Sequence, residues 1–348
     1  MSSPQPSAAV QNLFEAARAG NAQALEKLLE TLRPLVLSTC YRMIGNLEDA
    51  EDAAQDALLG ILTEMKSETQ NAWQALVHRQ AVSASLDFIT VLREEDEQNG
   101  QSTPGARPVE PLLTDKLSLG VLETLEQNEA RTMTTRASMM LVFIHVLHIL
   151  PLEARAVLLL KDILGCGDEV VALALALSPE KIAKHLQAAR DVVAAARGKI
   201  PGNNMLLEDV RARRVLRSLG RRLIQKDAMK IAATLAEEAV LVIPKLGSFH
   251  GQEAVAAQFA NMFTIGLAPD AIAEVEINGQ PGLVCFQKRL VRKRMRYLPC
   301  LVLALAISPS GAARNKIVRL DMVTELKIVK KIGRHVALLK VRALRPRR

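Results

Sequence analysis

The chain has 348 residues, of which 49% are apolar, 24% charged and 3% aromatic. This composition excludes a disordered or collagen-like chain, and the length predicts two or three domains with apolar cores. The four scattered cysteines show neither a disulfide framework nor the close pairing of a zinc site, so we expect reduced thiols. The net charge of +8 is unevenly placed, because residues 286–348 hold 18 Lys and Arg against 2 Asp and Glu.

The first residues lack the basic start, apolar core and cleavage site of a secretory signal. The most apolar early run, residues 139–150, is too short to span a bilayer and carries two histidines. We therefore expect a cytoplasmic protein without a membrane partner. No spacing of His, Cys or acidic residues indicates a metal or another cofactor, so none is expected.

The first hundred residues have the apolar periodicity of helices. Gly20 and Asn21 separate the first two helices, and Pro34 predicts a helix start or a bend. Gly45 is expected to end a helix and Asn46 to cap the next one.

The run "GNLEDAEDAAQDALLGIL", residues 45–62, is acidic although the whole chain is basic. On a helix its alanines, leucine and isoleucine form one apolar stripe. Asp49, Asp52 and Asp56 lie close together on another side, where they share a negative surface. Periodicity alone leaves open whether this surface is merely solvated or binds a partner.

Two stretches read as linkers. Residues 93–115 hold three prolines and two glycines, and residues 198–204 are similarly rich in turn formers. Between them, Ser178 as a helix cap and Pro179 at a first helical position separate two short helices with helix-turn-helix spacing. After residue 238, short apolar and β-branched runs divided by turn residues predict the strands of an α+β domain.

The run "YRMIGNLEDAEDAAQDALLGIL", residues 41–62, resembles region 2 of the extracytoplasmic-function (ECF) sigma factors. In that family the helix docks on a coiled coil of the largest subunits of RNA polymerase. The resemblance therefore implies that Asp49, Asp52 and Gln55 face the polymerase core.

The run "AWQALVHRQAVSASLDFITVLR", residues 72–93, is similar to the family's tryptophan-led helix, which engages the upstream melted element of the promoter. Such a helix needs basic groups for phosphates and an aromatic or shaped pocket for an unstacked base. A lone tryptophan is also common in a core, and this alternative stays open. The candidate DNA-binding residues are Trp73, His78, Arg79, Gln80, Ser83 and Arg93.

The run "LPLEARAVLLLKDILG", residues 150–165, with the helix pair after it, resembles sigma region 4. A recognition helix there enters the major groove of promoter DNA with its N-terminal residues toward the base edges. The turn has Leu175-Ala176-Leu177-Ser178 where the family usually has a glycine. The candidate DNA-binding residues are Lys181, Lys184, His185, Gln187 and Arg190.

The runs "ARPVEPLLTD", "FHGQEAVAAQFANMF" and "INGQPGLVCF" resemble ECF sigma factors with a fused SnoaL-like domain. The expected fold is multi-domain, with two all-α sigma domains, a region 2 helical bundle and a region 4 helix-turn-helix, followed by an α+β SnoaL-like cone. The expected divisions are 8–95 for region 2, 96–134 for a linker, 135–198 for region 4, 199–214 for a linker, 215–335 for the SnoaL-like domain and 336–348 for a basic tail.

The resemblance implies a non-enzymatic sigma factor that directs transcription initiation, with its C-terminal domain regulating activity in cis. One alternative is a SnoaL-like cyclase or isomerase, for which the acid-base candidates are Asp227, His250, Asp270 and Asp321. Another is a DNA-binding regulator that never touches polymerase. The basic runs of residues 289–296 and 340–348 are expected either to neutralise phosphates or to be a solvated strand and a disordered tail.

Overall fold

The computed structural model describes residues 6–66, 73–98, 109, 138–196, 209–243, 246–291 and 294–338. The chain divides into two compact units. The first comprises Met1–Glu110 and Asp115–Arg197, and the second comprises Pro111–Thr114 and Gly198–Arg348. Both helical segments predicted from the sequence therefore belong to the first unit, and the sheet belongs to the second.

The first part of the helical unit contains four helices, α1 (Pro6–Arg18), α2 (Ala22–Ile44), α3 (Leu47–Glu64) and α4 (Trp73–Gln98). The Asn21 side chain caps α2 by accepting a hydrogen bond from the Ala24 amide. Pro34 lies inside α2 and starts no new helix. Leu32 and Leu35 on either side are buried, so packing keeps the helix continuous despite the missing amide.

The second part of the helical unit contains α5 (Leu141–Ile149), α6 (Leu152–Leu158), α7 (Asp168–Leu175) and α8 (Pro179–Ala196). A π-helical turn, Leu159–Ile163, continues α6. Helices α7 and α8 form the helix-turn-helix, as predicted from Ser178 and Pro179. Ala176 takes the left-handed conformation at the turn, with φ 51° and ψ 39°, where glycine carries no steric cost.

The second unit has a mixed α/β architecture. Its helices are α9 (Val210–Ile224), α10 (Ala228–Ala232), α11 (Gln252–Thr264) and α12 (Leu326–Leu338). Its strands are β1 (Leu235–Ile243), β2 (Gly247–His250), β3 (Ala271–Ile277), β4 (Gln280–Val291), β5 (Arg294–Ile307) and β6 (Ile317–Val323). They form one sheet in the order β2-β1-β6-β5-β4-β3, in which only β1 and β6 are parallel.

One face of this sheet carries the core of the unit. Leu241, Leu320 and Leu305 are register neighbours on β1, β6 and β5, and all three are buried. They pack in one cluster with Leu219 of α9 and Phe259 of α11. Aliphatic and aromatic burial of this kind is the main favourable term in folding.

Several sequence predictions are corrected here. Residues 210–214, assigned to a linker, belong to α9, where Ala212 is fully buried. Helix α12 continues to Leu338, so the basic tail does not begin at residue 336. Residues 289–291 and 294–296 are paired strands, so this basic run is a strand rather than part of a tail, and its pairing leaves phosphate binding open. Residues 340–348 lie outside the described residues.

Within the described ranges, no helix has both the length and the apolar character that a membrane crossing requires.

Candidate functional site

The junction between α2 and α3 fixes the direction of the acidic helix. Gly45 takes a left-handed conformation, with φ 81°, and its amide donates to the Tyr41 carbonyl. The Asn46 side chain then accepts from the amides of Glu48 at 2.9 Å and Asp49 at 3.2 Å. A glycine stop and an asparagine cap in adjacent residues end one helix and begin the next without a loop.

The two faces of α3 divide as the sequence predicts. Its alanines at positions 50, 53, 54 and 57 and Ile61 are buried. Asp52 and Gln55 are exposed, and Asp49 is half-buried. Glu51 and Asp56 add to the exposed acidic surface. We call this set of five residues the α3 acidic face. It suits a basic partner, because opposite potentials favour association.

The candidate DNA-binding residues of α4 separate into two groups. Trp73 is 9% exposed and His78 is 7% exposed. Both side chains are therefore largely buried in this structure, which agrees with the alternative of a core tryptophan. Ser83 is exposed. The side chain of Arg93 lies outside the described residues.

Arg79 and Gln80 converge on one carboxylate of α3. Arg79 forms an ion pair with Glu64, and Gln80 donates to the other oxygen of Glu64 at 2.8 Å. Both side chains are half-buried. In this structure they therefore join α4 to α3 as well as forming part of the α4 surface.

The helix-turn-helix presents an exposed polar face on α8. Lys181, Lys184 and Gln187 are exposed at intervals of three residues, so they follow one side of the helix. The Ser178 hydroxyl accepts from the Lys181 amide at 3.4 Å, which supports the predicted cap. Gln187 also donates to the Asp191 carboxylate at 2.8 Å, whereas Lys181 and Lys184 extend from the same side of the helix.

The other two candidates on α8 are held by acidic side chains of the same unit. His185 lies 3.2 Å from a carboxylate oxygen of Glu153. Arg190 binds Asp162 through two hydrogen bonds of 2.7 and 2.8 Å. These bonds raise the pKa of the Arg190 guanidinium above its ordinary value. The sequence prediction therefore missed that Arg190 anchors α8 to the π-helical turn.

A buried polar cluster joins α2 to the segment around α5 and α6. Arg155 donates to the main-chain carbonyls of Met43, His148 and Leu150. Arg42, also fully buried, donates to the Ser138 hydroxyl at 2.8 Å. Sequence reasoning did not identify this cluster, although Arg155 belongs to the quoted region 4 motif.

His148 packs against the α2–α3 junction. A Cβ atom at Gly45 would lie 2.6 Å from the His148 ring. Burial lowers the pKa of His148 from 6.5 to about 3, and the charges of Arg155 and His145 add to the effect. The imidazole is therefore neutral at pH 7.

The acid-base candidates of the second unit lie in separate environments. Asp227 caps α10 and pairs with Lys230, whose hydrogen bond lowers the pKa of the carboxyl. Asp270 accepts from the Lys288 amide at 2.7 Å. Asp321 forms a buried two-bond ion pair with Arg319. Each carboxylate thus has its own structural partner, and the three do not converge on one reacting position.

His250 instead lines a cavity of about 700 Å³ beside β1, β2 and β6. Its wall also contains Lys316, Arg319 and the carboxylates Glu237 and Glu238. Cations and carboxylates are mixed on this wall, and Arg319 forms an ion pair with Asp321. His250 therefore shares this wall with two carboxylates and with cationic side chains. Within the described ranges, no group of three or more His, Cys, Asp and Glu side chains is placed to hold a metal ion.

Comparison with known proteins relates part of the helical unit to a known domain family. Residues 28–91 match the model of sigma-70 region 2. The ECF RNA polymerase sigma factor SigG of Mycobacterium tuberculosis is 30% identical over 175 residues, covering 48% of this chain and 47% of SigG. SigD of Mycobacterium bovis is 27% identical over 186 residues, covering 51% of this chain and 81% of SigD. This chain thus spans about half the length of SigG.

The fold of the whole chain also has a solved counterpart. The crystal structure of the ECF sigma factor SigJ from Mycobacterium tuberculosis superposes with a TM-score of 0.57 at 18% identity. The match covers 86% of this chain and 96% of SigJ. It supports the predicted order of helical sigma domains followed by a SnoaL-like α+β domain. Part of the helical unit thus matches sigma-70 region 2, and the chain is similar to extracytoplasmic-function sigma factors over about half of its length. Its fold, a helical unit followed by a C-terminal α+β domain, is similar to that of SigJ.

Proposed function

We propose that this protein is a promoter-specificity subunit that binds core RNA polymerase and directs transcription initiation in the cytoplasm. The observation that carries the proposal is the α3 acidic face, which is ordered, capped and exposed within the segment that matches sigma-70 region 2. In the proposed complex, Asp49, Asp52 and Gln55 contact a basic surface of the core enzyme. The relatives SigG and SigD are both named as ECF RNA polymerase sigma factors, which supports the proposal.

Promoter DNA is the second proposed partner. On α8, the exposed Lys181 and Lys184 bind a groove and its phosphates in this proposal, and Gln187 joins them once its hydrogen bond to Asp191 is exchanged for DNA. On α4, Ser83 is exposed, and Arg79 and Gln80 contribute once their contacts with Glu64 are exchanged for DNA. Region 2 in this proposal comprises α1–α4, region 4 comprises α5–α8, and the second unit regulates them in cis.

The test is the replacement of two acidic residues of the α3 face. Asp49→Lys with Asp52→Lys reverses the charge there, and Glu26→Lys with Glu30→Lys makes the same charge change at exposed sites on α2. The first variant should lose comigration with core polymerase in gel filtration and lose promoter-dependent transcription. The α2 variant should retain both.

Two results contradict the proposal. If the unaltered protein fails to comigrate with core polymerase at modest salt, it is not a sigma factor. If the α3 variant transcribes as well as the α2 variant, the acidic face is not the docking surface. Promoter binding that is complete without polymerase would instead favour a regulator that acts alone.

A further inference from the structure

The β4–β5 hairpin extends beyond the rest of the sheet. Strand β3 pairs with β4 only as far as Phe286, and β6 pairs with β5 only from Val302 onward. Residues 287–291 and 294–298 pair with each other and with no other described strand. Five residues per strand, at about 3.3 Å each, give a two-stranded ribbon roughly 17 Å long.

The charge of this ribbon is of one sign. Residues 287–298 contain six Lys and Arg and no Asp or Glu. Lys288, Arg289, Arg294 and Arg296 are exposed, and the described side chains offer these four no salt-bridging carboxylate. The remaining two basic residues, Arg292 and Lys293, lie outside the described part of the chain.

The register of the ribbon works against its own stability. Arg289 lies directly opposite Arg296, and like charges at such a pair destabilise a hairpin. On the other face Leu290 lies opposite Met295, and these side chains are 69% and 54% exposed. The ribbon thus combines a pair of like-charged arginines with a pair of exposed apolar side chains. This combination is typical of a surface that binds a partner.

We propose that the ribbon formed by residues 287–291 and 294–298 is a DNA-contacting arm, which gives the second unit a phosphate-binding surface separate from α4 and α8. A two-stranded ribbon fits the major groove of duplex DNA, where arginines bind phosphates and base edges. Leu290 and Met295 then meet apolar groups such as thymine methyls. A phosphate backbone supplies evenly spaced negative charge along the whole ribbon, whereas a protein partner needs a carboxylate matched to each guanidinium.

The test measures the binding of the full chain to a random-sequence duplex, without polymerase, by fluorescence anisotropy over a salt series. Arg289→Gln with Arg296→Gln should weaken binding about tenfold at low salt and reduce the slope of log K against log salt by about 2. Arg214→Gln with Arg221→Gln removes equal charge from exposed positions of α9 and should have a much smaller effect.

A second variant separates loss of charge from loss of structure. Arg289→Glu replaces the like-charge pair with an opposite-charge pair opposite Arg296, so the midpoint of thermal unfolding should stay the same or rise. Its duplex affinity should nevertheless fall at least as far as that of the glutamine variant.

The proposal is overturned if both ribbon variants bind the duplex as tightly as the unaltered chain. It is also overturned if the α9 variant loses as much affinity, because net charge alone then explains binding. Unchanged duplex binding together with weaker core-polymerase binding would assign the ribbon to a protein partner. The duplex-binding outcomes do not depend on whether α3 binds polymerase.

Discussion

The guanidinium of Arg155 donates a hydrogen bond to the main-chain carbonyl of Met43, 112 residues earlier in the chain. Met43 lies in the last turn of α2, where carbonyls lack helical partners and attract a cation. Arg155 lies within α6 and is 6% exposed. One buried arginine therefore ties the proposed region 4 to the proposed region 2.

Replacing Arg155 should destabilise the helical unit strongly. Arg155→Met keeps most of the side-chain volume but leaves the carbonyls of Met43, His148 and Leu150 without these donors. We expect the free energy of unfolding in urea to fall by about 3 kcal/mol. Arg33→Met, at an exposed position of α2, should change it by less than about 0.5 kcal/mol. Equal losses of unfolding free energy in the two variants would show that the Arg155 hydrogen bonds stabilise the protein no more than an exposed arginine does.

The stability of the protein should fall on mild acidification because of His148. Its pKa is about 3 in the folded state, against 6.5 in the absence of the fold, so the unfolded chain binds the proton more readily. The stabilisation is complete above pH 6.5 and is lost as the pH falls from 6.5 toward 3. Between pH 7 and pH 5 this one group should lower the free energy of unfolding by about 2 kcal/mol.

The measurement compares the chain with His148→Phe at several pH values. The variant lacks the titrating group, so its free energy of unfolding should depend less steeply on pH between 7 and 5. Identical pH profiles would mean that other groups account for the acid sensitivity.

Relief of strain at the helix-turn-helix should stabilise the protein. Ala176 is exposed and left-handed, so Ala176→Gly removes a conformational cost without removing buried contacts. We expect a gain of about 0.5 to 1 kcal/mol in thermal or urea unfolding. Ala183→Gly, at an exposed position within α8, should instead lose about 1 kcal/mol. If the free energy of unfolding fell in both variants, Ala176 would not be strained in its left-handed conformation.

Gly45 should tolerate no side chain. It combines a φ of 81° with the close approach of the His148 ring, so Gly45→Ala meets both backbone strain and a steric clash. We expect a loss of at least about 2 kcal/mol in the free energy of unfolding. Gly20 has a φ of 94° and no atom near the position of an added Cβ, so Gly20→Ala measures the backbone strain alone. This strain should lower the free energy of unfolding by about 1 kcal/mol. Similar losses at the two glycines would indicate that the contact with His148 is unimportant.

The features predicted correctly from the sequence are those set by neighbouring residues. The stop at Gly45, the cap at Asn46 and the buried alanine stripe of α3 follow from local chemistry and helical periodicity. The helix-turn-helix and the strands β1, β4, β5 and β6 are recognisable for the same reason. The continuous path of α2 through Pro34 was ambiguous because burial on both sides of the proline decides it.

The missed features depend on contacts between distant parts of the chain. Trp73 and His78 have residue types that suit either a core or a DNA surface, and only tertiary packing places them in the core. Arg190 resembles a phosphate-binding residue until Asp162, 28 positions away, is brought beside it. The amphipathic helix α12 was not predicted as a helix, although most of it falls within the range expected for the SnoaL-like domain.

The loop-free junction at Gly45 and Asn46 also has a thermodynamic consequence for the proposed docking. Helix α3 is already ordered and held at both its cap and its buried stripe before any partner arrives. Association through such a surface loses little backbone entropy, since no segment has to fold on contact. Exchange of the α3 amide hydrogens with solvent should accordingly be slow in the unbound protein and change little on complex formation.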